Sequence, residues 1–296
     1  MVNGKLLDGR KIADFIHAET AKAVADLKSR GITPGIVFIR VGEDAASEVY
    51  VRMKEKKSKE LGIFSETIVL PAATSEEKLL ELICRLNNDP RYHGILVQVP
   101  LPSHISSATV FNSIRPDKDV DGFHPINMGK LLLGDPTGFV PCTPAGIVEL
   151  LYRYGVDVSG KHVVILGRGN IVGKPLAALL IQKAPKANAT VTVCHSYTQN
   201  IKEHCKQADI LVAAIGVAKF VKADMVREGA IVIDVGVNRI EDPNTPKGYR
   251  IVGDVDFEGV YHKVSLITPN PGGVGPMTIA MLMQNTIKAT KIQVGL

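Results

Sequence analysis

Residues Lys161-His162-Val163-Val164-Ile165-Leu166-Gly167-Arg168-Gly169-Asn170-Ile171-Val172-Gly173-Lys174-Pro175 pass from an apolar strand pattern through a glycine turn into a helix pattern. The glycines let backbone come close to a diphosphate, and a helix N-terminus offers unpaired N–H groups to its charge. The spacing is G-x-G-x-x-x-G, one residue longer than the usual dinucleotide fingerprint. A phosphate-binding NTPase loop does not fit, because Arg168 stands where the first glycine belongs. Pro175 also follows Gly173-Lys174 where a Ser or Thr would hold Mg²⁺. The stretch predicts a nucleotide-binding turn, with an ordinary tight strand-to-helix connection as the plainer reading.

The next strand, Ala189 to Ser196, bears on which nucleotide. NAD sites usually carry an Asp or Glu at its end to chelate the ribose hydroxyls. Here the end is His195-Ser196, with no acid until Glu203. A carboxylate there repels a 2′-phosphate, whereas a hydroxyl beside the Arg168 guanidinium binds one. The expected cofactor is therefore NADP. The alternative is that Arg168 is a solvated surface residue and Ser196 merely caps the next helix.

Strand and helix patterns alternate along the whole chain. Runs at Gly35 to Val41, Glu66 to Leu70 and Gly94 to Val99 are continuous, as in parallel sheets covered on both faces. Helical patterns cover about Asp8 to Ser29, Ser47 to Leu61 and Glu76 to Leu86. Pro116 to Thr143 reads as a long Gly-, Pro- and Asp-rich loop with one short helix at Met128 to Leu133. A helix from Pro144 to Tyr154, with Thr143 as N-cap, leads to a second block with strands at Val163 to Leu166, Thr190 to Cys194, Ile210 to Ala214 and Ala230 to Val235. A helix from Pro276 to Thr290 closes the chain. The fold class is α/β in two domains: an N-terminal three-layer α/β domain (1–145 plus 277–296) and a doubly wound parallel-sheet, Rossmann-type NADP domain (146–276), with a cleft between.

Composition excludes other classes. The chain has 296 residues, 45% apolar and 22% charged, enough for two cores. No apolar run approaches membrane-spanning length, and the first residues have neither a signal-peptide core nor an Arg- and Ser-rich transit pattern. Cys84, Cys142, Cys194 and Cys205 lack C-x-x-C spacing, as reduced intracellular thiols usually do, so a cytoplasmic protein with no metal site is expected. The net charge of +5 is mild, and the densest basic run, Arg52 to Lys59, is interleaved with Glu55. That argues for a solvated helix face rather than a nucleic-acid partner.

Tyr50 and Lys54 lie four apart on a predicted helix and so share a face, with Val49, Met53 and Leu61 as an apolar stripe beside them. A lone lysine in that position usually snorkels to water. Gln98 sits at the end of the strand Gly94-Ile95-Leu96-Val97-Gln98-Val99, before Pro100 and Pro102, where α/β proteins bind ligands. Asp117-Lys118-Asp119-Val120-Asp121-Gly122 is an acidic turn whose plain reading is a solvated loop.

Taken in order, Tyr50-x-x-x-Lys54, Ile95 to Pro102, Lys118 to Gly122, Pro141-Cys142-Thr143-Pro144, Gly167-Arg168 with Ile171-Val172-Gly173, and Pro271-Gly272-Gly273-Val274-Gly275-Pro276-Met277-Thr278 resemble the methylenetetrahydrofolate dehydrogenase/methenyltetrahydrofolate cyclohydrolase family over nearly the whole chain. The resemblance implies a bifunctional enzyme. It would oxidise 5,10-methylenetetrahydrofolate with NADP and then hydrolyse the methenyl cation to 10-formyltetrahydrofolate. It implies Lys54 as the acid/base of hydrolysis, Tyr50 packing on the folate, Gln98 bonding near Lys54, and Asp121 gripping the pterin, with Pro271 and Gly275 lining the folate site. Gly167, Arg168, Gly169 and Ser196 would hold the cofactor phosphates and Val237 the nicotinamide side. It also implies a homodimer built through the nucleotide domain. Hydride transfer needs only two rings held together away from water. Hydrolysis needs a group that moves the proton of the attacking water, which a lysine can supply.

One departure stands out: the family commonly has Ser after Gly-Arg, and this chain has Gly169. The missing hydroxyl removes a phosphate hydrogen bond worth about 0.5–1.5 kcal/mol, against the closer backbone approach that glycine permits. Two rivals remain at this stage. A monofunctional, NAD-linked dehydrogenase has no need of the intact Tyr50, Lys54 and Gln98 set, and a nucleotide-sensing module has no use for acid/base groups.

Overall fold

The apolar runs at Gly35–Val41 and His162–Leu166 become inner strands of two parallel sheets. The computed structural model describes residues 5–243, 245 and 248–296. In chain order the elements are α1 (Gly9–Ser29), β1 (Gly35–Val41), α2 (Ala45–Glu60), β2 (Phe64–Leu70), α3 (Glu76–Asn88), β3 (Gly94–Val97), α4 (Ser107–Ser113), α5 (Pro125–Leu133) and α6 (Cys142–Arg153). There follow β4 (His162–Leu166), α7 (Gly173–Leu180), β5 (Thr190–Cys194), α8 (Ile201–Lys206), β6 (Ile210–Ala213), β7 (Ile231–Asp234), β8 (Asn238–Glu241), β9 (Tyr249–Val252), α9 (Phe257–Tyr261), β10 (Leu266–Ile267) and α10 (Val274–Gln293). The chain forms two compact units: Asp14–Cys142 with Ile279–Leu296, and Met1–Ala13 with Thr143–Thr278.

The first is a three-stranded unit of order β2-β1-β3, all parallel. Alternate residues of β1 point to opposite faces. Ile36 and Phe38 join Val24, Leu27, Val51, Met283 and Ile287 in one buried cluster. Val37 and Ile39 join Leu79, Ile83, Leu86 and Val110 in the other. Helices therefore cover both faces of β1, giving three layers. At about 1.5–3 kcal/mol for each large apolar side chain removed from water, these clusters hold the layers together. The edge strand β2 departs from the sequence expectation. Its burial alternates instead of being continuous, with Val69 52% exposed, because an edge strand of a small sheet is covered less completely.

The second is a five-stranded unit of order β10-β7-β6-β4-β5, again all parallel. Counted in chain order, the strands run 5-4-3-1-2, a doubly wound arrangement whose order reverses beside β4. Its core joins Val164, Leu166, Leu211, Ala213, Val232 and Ile267. The sequence reading grouped residues 1–13 with the first domain, yet the segment at Leu7 is stitched to the far edge of this sheet. Leu7 N–H donates to Ile267 O at 2.9 Å, and Ile267 N–H donates to Lys5 O at 2.8 Å. The helix expected from Pro144 with Thr143 as cap begins at Cys142 instead, so Thr143 lies inside α6. Among the described residues no helix is long and apolar enough to cross a membrane, and no group of three His, Cys, Asp or Glu is placed to hold a metal ion.

Candidate active site

In the three-stranded unit, α2 starts on a firm cap: Asp44 Oδ1 accepts from Ser47 N–H at 2.7 Å. Its buried positions are Ser47, Val51, Lys54 and Ser58, spaced so that they share one face. The stripe expected from Val49 and Met53 is not the core side, because these residues are 55% and 48% exposed. Lys54 does not snorkel either. It is 7% exposed, and its Nζ donates to Gln98 Oε1 at 2.9 Å. Gln98 is aimed by its own backbone, whose N–H donates to Ile39 O at 2.8 Å, and by Nε2 donating to Val99 O at 2.6 Å. Tyr50 is half-buried one turn before Lys54, and burial raises its hydroxyl above the ordinary range. A polar helix face turned inward is costly unless something polar completes it.

Asp121 stands in the same unit, in the turn read as a solvated loop. That plain reading fails, since Lys118 and Asp119 are each 2% exposed. Asp119 Oδ1 accepts from Gly122 and Phe123 N–H at 3.1 Å each. Its Oδ2 accepts from His124 N–H and Asn127 Nδ2, each at 2.8 Å. Lys118 Nζ donates to Leu86 O and Asp89 O at the end of α3. From α10, Asn285 Nδ2 donates to Val120 O at 2.8 Å and Val140 O at 3.0 Å. The two residues flanking Val120 thus have opposite fates: Asp119 is consumed in holding the turn, and Asp121 is presented by it. Burial pushes the Asp121 carboxyl up, with the Lys54 charge opposing and Asp119 adding to the rise. Cys142 Sγ donates to Val120 O at 3.4 Å, and its thiol is pushed well above its usual range, by burial first and the Asp121 charge second.

In the five-stranded unit, β4 ends in Gly167 with φ at 113°, a conformation that favours glycine. A Cβ there would collide with the Ala214 carbonyl, and one on Gly173 would collide with the Gly167 carbonyl. The turn and the start of α7 therefore pack backbone on backbone. The residue before α7, Val172, gives its N-terminus no side-chain cap. Arg168 and Gly169 are exposed beside the end of β5, where the Arg168 guanidinium lies 5.9 Å over the Tyr197 ring and Ser196 is also exposed. Ser196 does not cap α8, whose N-cap position is Asn200.

Two further loops leave the carboxyl ends of β6 and β7. Val237, 53% exposed, lies on the second. Asn270 Nδ2 holds it by donating to Gly236 O at 2.5 Å, next to a cis Asn270-Pro271 bond. Pro271 and Gly275 are exposed residues of this same unit, at the approach to and start of α10. Lys54, Tyr50, Gln98 and Asp121 are thus gathered in one unit. Gly167, Arg168, Gly169, Ser196 and Val237, with Pro271 and Gly275, are in the other. Sequence reasoning missed Asp119, Asn285 and the thiol contact of Cys142. The Asp-x-x-Gly spacing of Asp119 and Gly122, a common side-chain-to-backbone turn, was the available signal for the first.

Comparison with known proteins agrees with this division. The chain matches a family model described as the tetrahydrofolate dehydrogenase/cyclohydrolase catalytic domain over residues 7–121. It matches the corresponding NAD(P)-binding domain over residues 141–294. It is 57% identical to the bifunctional protein FolD of Chloroherpeton thalassium, covering 96% of this chain and 97% of that relative. The crystal structure of bifunctional FolD from Campylobacter jejuni superposes with a TM-score of 0.91 at 48% identity, over 97% of this chain and 99% of that one. The methylenetetrahydrofolate dehydrogenase-cyclohydrolase of Trypanosoma brucei, solved with NADP cofactor and an inhibitor, gives 0.93 at 40% identity over 98% of each chain. With both domain models matched in order and near-full-length relatives above half identity, the chain belongs to the tetrahydrofolate dehydrogenase/cyclohydrolase family.

Proposed function

We propose that this chain oxidises 5,10-methylenetetrahydrofolate to the 5,10-methenyl cation with NADP and then hydrolyses the cation to 10-formyltetrahydrofolate. The observation that carries the reading is the buried Lys54 amine held by a neutral amide, with Asp121 in the same corner. Lys54 takes a proton from the attacking water and passes it to the departing ring nitrogen, while the second water proton leaves to solvent as the formyl C=O forms. Gln98 fixes the amine without adding charge. Asp121 accepts from the amino group and ring N–H of the pterin, a two-point contact that holds the carboxylate ionised against its burial. Tyr50 packs on the folate ring, and family resemblance assigns Pro271 and Gly275 to folate binding.

NADP fits the five-stranded unit, because the space at Gly169 in the turn is open and the N-terminus of α7 has no side-chain cap. When bound it supplies the hydride acceptor. Gly167 and Gly169 admit the diphosphate, Arg168 and Ser196 hold the 2′-phosphate, and Val237 borders the nicotinamide. We assign folate binding and catalysis to residues 14–142 with 279–296 and NADP binding to residues 143–278, with the Leu7 segment joined to the edge of the NADP-domain sheet. The enzyme works in the cytoplasm as a homodimer joined through the NADP domain, on a small folate and without nucleic-acid or membrane partners. Family resemblance supports these last assignments.

Methylenetetrahydrofolate oxidation followed spectrophotometrically with NADP and NAD in parallel tests the reading. The wild type prefers NADP, and Arg168→Ala shrinks that preference by about tenfold to about a hundredfold, the loss of a charge-assisted phosphate contact of about 1.5–3 kcal/mol. An unchanged NADP/NAD ratio removes Arg168 from phosphate recognition, and no oxidation with either nucleotide overturns the function.

A further inference from the structure

Two buried carboxylates of the five-stranded unit have no part in the chemistry above. Asp254 is 0% exposed and Asp234 4%. Asp254 Oδ2 accepts from the N–H groups of Ile215 at 2.7 Å and Gly216 at 2.9 Å, and its Oδ1 accepts from Asn238 Nδ2 at 2.9 Å. Asp254 N–H donates to Asp234 Oδ1 at 2.8 Å, and the same oxygen takes Gly236 N–H at 3.0 Å. Asp234 Oδ2 accepts from Val255 N–H at 3.2 Å. Behind it, Asp234 N–H donates to Thr268 Oγ1 at 2.7 Å. The fit is close: a Cβ on Gly236 would collide with the Asp254 carboxylate, and one on Gly253 with that of Asp234.

The bonds run in one direction. Thr268 anchors Asp234, Asp234 anchors Asp254, and Asp254 spends its three contacts on the loop after β6 and on Asn238, the residue following Val237. None of its donors is a ladder N–H of β6 or β7. Burying two neighbouring carboxylates is a poor way to add stability, since apolar side chains would do it at lower desolvation cost. Carboxylates are needed where backbone N–H groups must be aimed. In a doubly wound sheet the carboxyl-end loops are where a dinucleotide is held.

We infer that Asp254, backed by Asp234, is a positioning residue for hydride transfer that fixes the 215–216 and 236–238 backbone against the nicotinamide end of NADP. The inference rests on the proposed function. It touches neither the folate corner nor the hydrolytic step.

The test uses the full chain carrying Asp254→Asn, which keeps the size and removes an acceptor. Positioning predicts that kcat for NADP-dependent oxidation falls by about tenfold to about a hundredfold, the scale of a misplacement of roughly 1 Å. NADP binding measured by calorimetry without folate weakens, the Ile215 and Gly216 amides exchange faster in nucleotide-free enzyme, and methenyltetrahydrofolate hydrolysis stays within about twofold. Equal loss of both activities, or oxidation and NADP binding at wild-type values, overturns the inference. If Asp254→Asn does not fold, Asn238→Ala removes one contact and must show the same split at smaller size; no split there also overturns it. Should the wild type fail to oxidise the folate with NADP, the proposed function falls. The calorimetric and exchange arms then still decide whether Asp254 sets the loops.

Discussion

The two units prepare for their ligands by opposite means. In the three-stranded unit the candidate groups are side chains drawn inward, with Lys54 held on Gln98 and Asp121 presented by the turn that Asp119 braces. In the five-stranded unit the candidate contacts Arg168, Ser196 and Val237 are exposed, and what is built with care is the backbone beneath them. There the buried carboxylates face N–H groups, and the glycines exist because backbone meets backbone. Proton transfer needs one particular functional group at one place, so a side chain must supply it. Holding a phosphate chain and a flat ring needs shape and N–H donors, which main chain supplies as well.

If that contrast is right, the largest single-residue effect lies in the three-stranded unit. Lys54→Met lowers methenyltetrahydrofolate hydrolysis by about 10²–10⁴-fold, the usual yield of a positioned acid/base. NADP affinity by calorimetry stays at the wild-type value. Hydrolysis at a normal rate would remove Lys54 from the chemistry and erase the contrast.

A smaller effect comes from the hidden carboxylate of the same unit. Asp119→Ala strands three backbone N–H groups and the Asn127 amide, and unfolding in urea should show a loss of about 2–4 kcal/mol. The folate KM rises with it because Asp121 loses its support. A loss below about 0.5 kcal/mol would show that water replaces those bonds freely.

The smallest effect sharpens the comparison from the other side. Burial, helped by the Asp254 charge and opposed by backbone N–H bonds, pushes Asp234 from 3.8 up to about 6. The folded protein then holds this proton where the unfolded chain has released it. Its contribution to stability is complete below pH ~4 and lost as pH rises through ~6, by at most about 3 kcal/mol. Asp234→Asn cannot titrate, so the stability of wild type relative to the variant declines across that window. A gap that does not change with pH would place Asp234 at an ordinary value.

The strands Gly35–Val41 and Thr190–Cys194 have the bounds that their residues suggest, and the glycine turn after β4 has the strand-turn-helix form that its spacing implies. Dense β-branched runs and glycine spacing are local signals, so they survive without knowledge of the fold. The fate of Asp119 against Asp121 is not local: two aspartates two residues apart are chemically alike until the Asn127 amide and the His124 backbone close on one of them. The exposed face of α2 misleads for a related reason. Val49 and Met53 look like core by hydropathy, and only packing shows that the helix turns Ser47, Lys54 and Ser58 inward. A site is where hydropathy and burial disagree, so pattern reading is weakest where the chemistry sits.

The hold of Asn285 on Val120 and Val140 has a bearing on biosynthesis. The corner that presents Asp121 is closed by an amide encoded far downstream. A chain still emerging from the ribosome has Tyr50, Lys54, Gln98 and Asp121 long before it has the clasp. Closure of that corner therefore arrives late, with α10, and a product cut short before that helix keeps Asp121 in an unlatched frame.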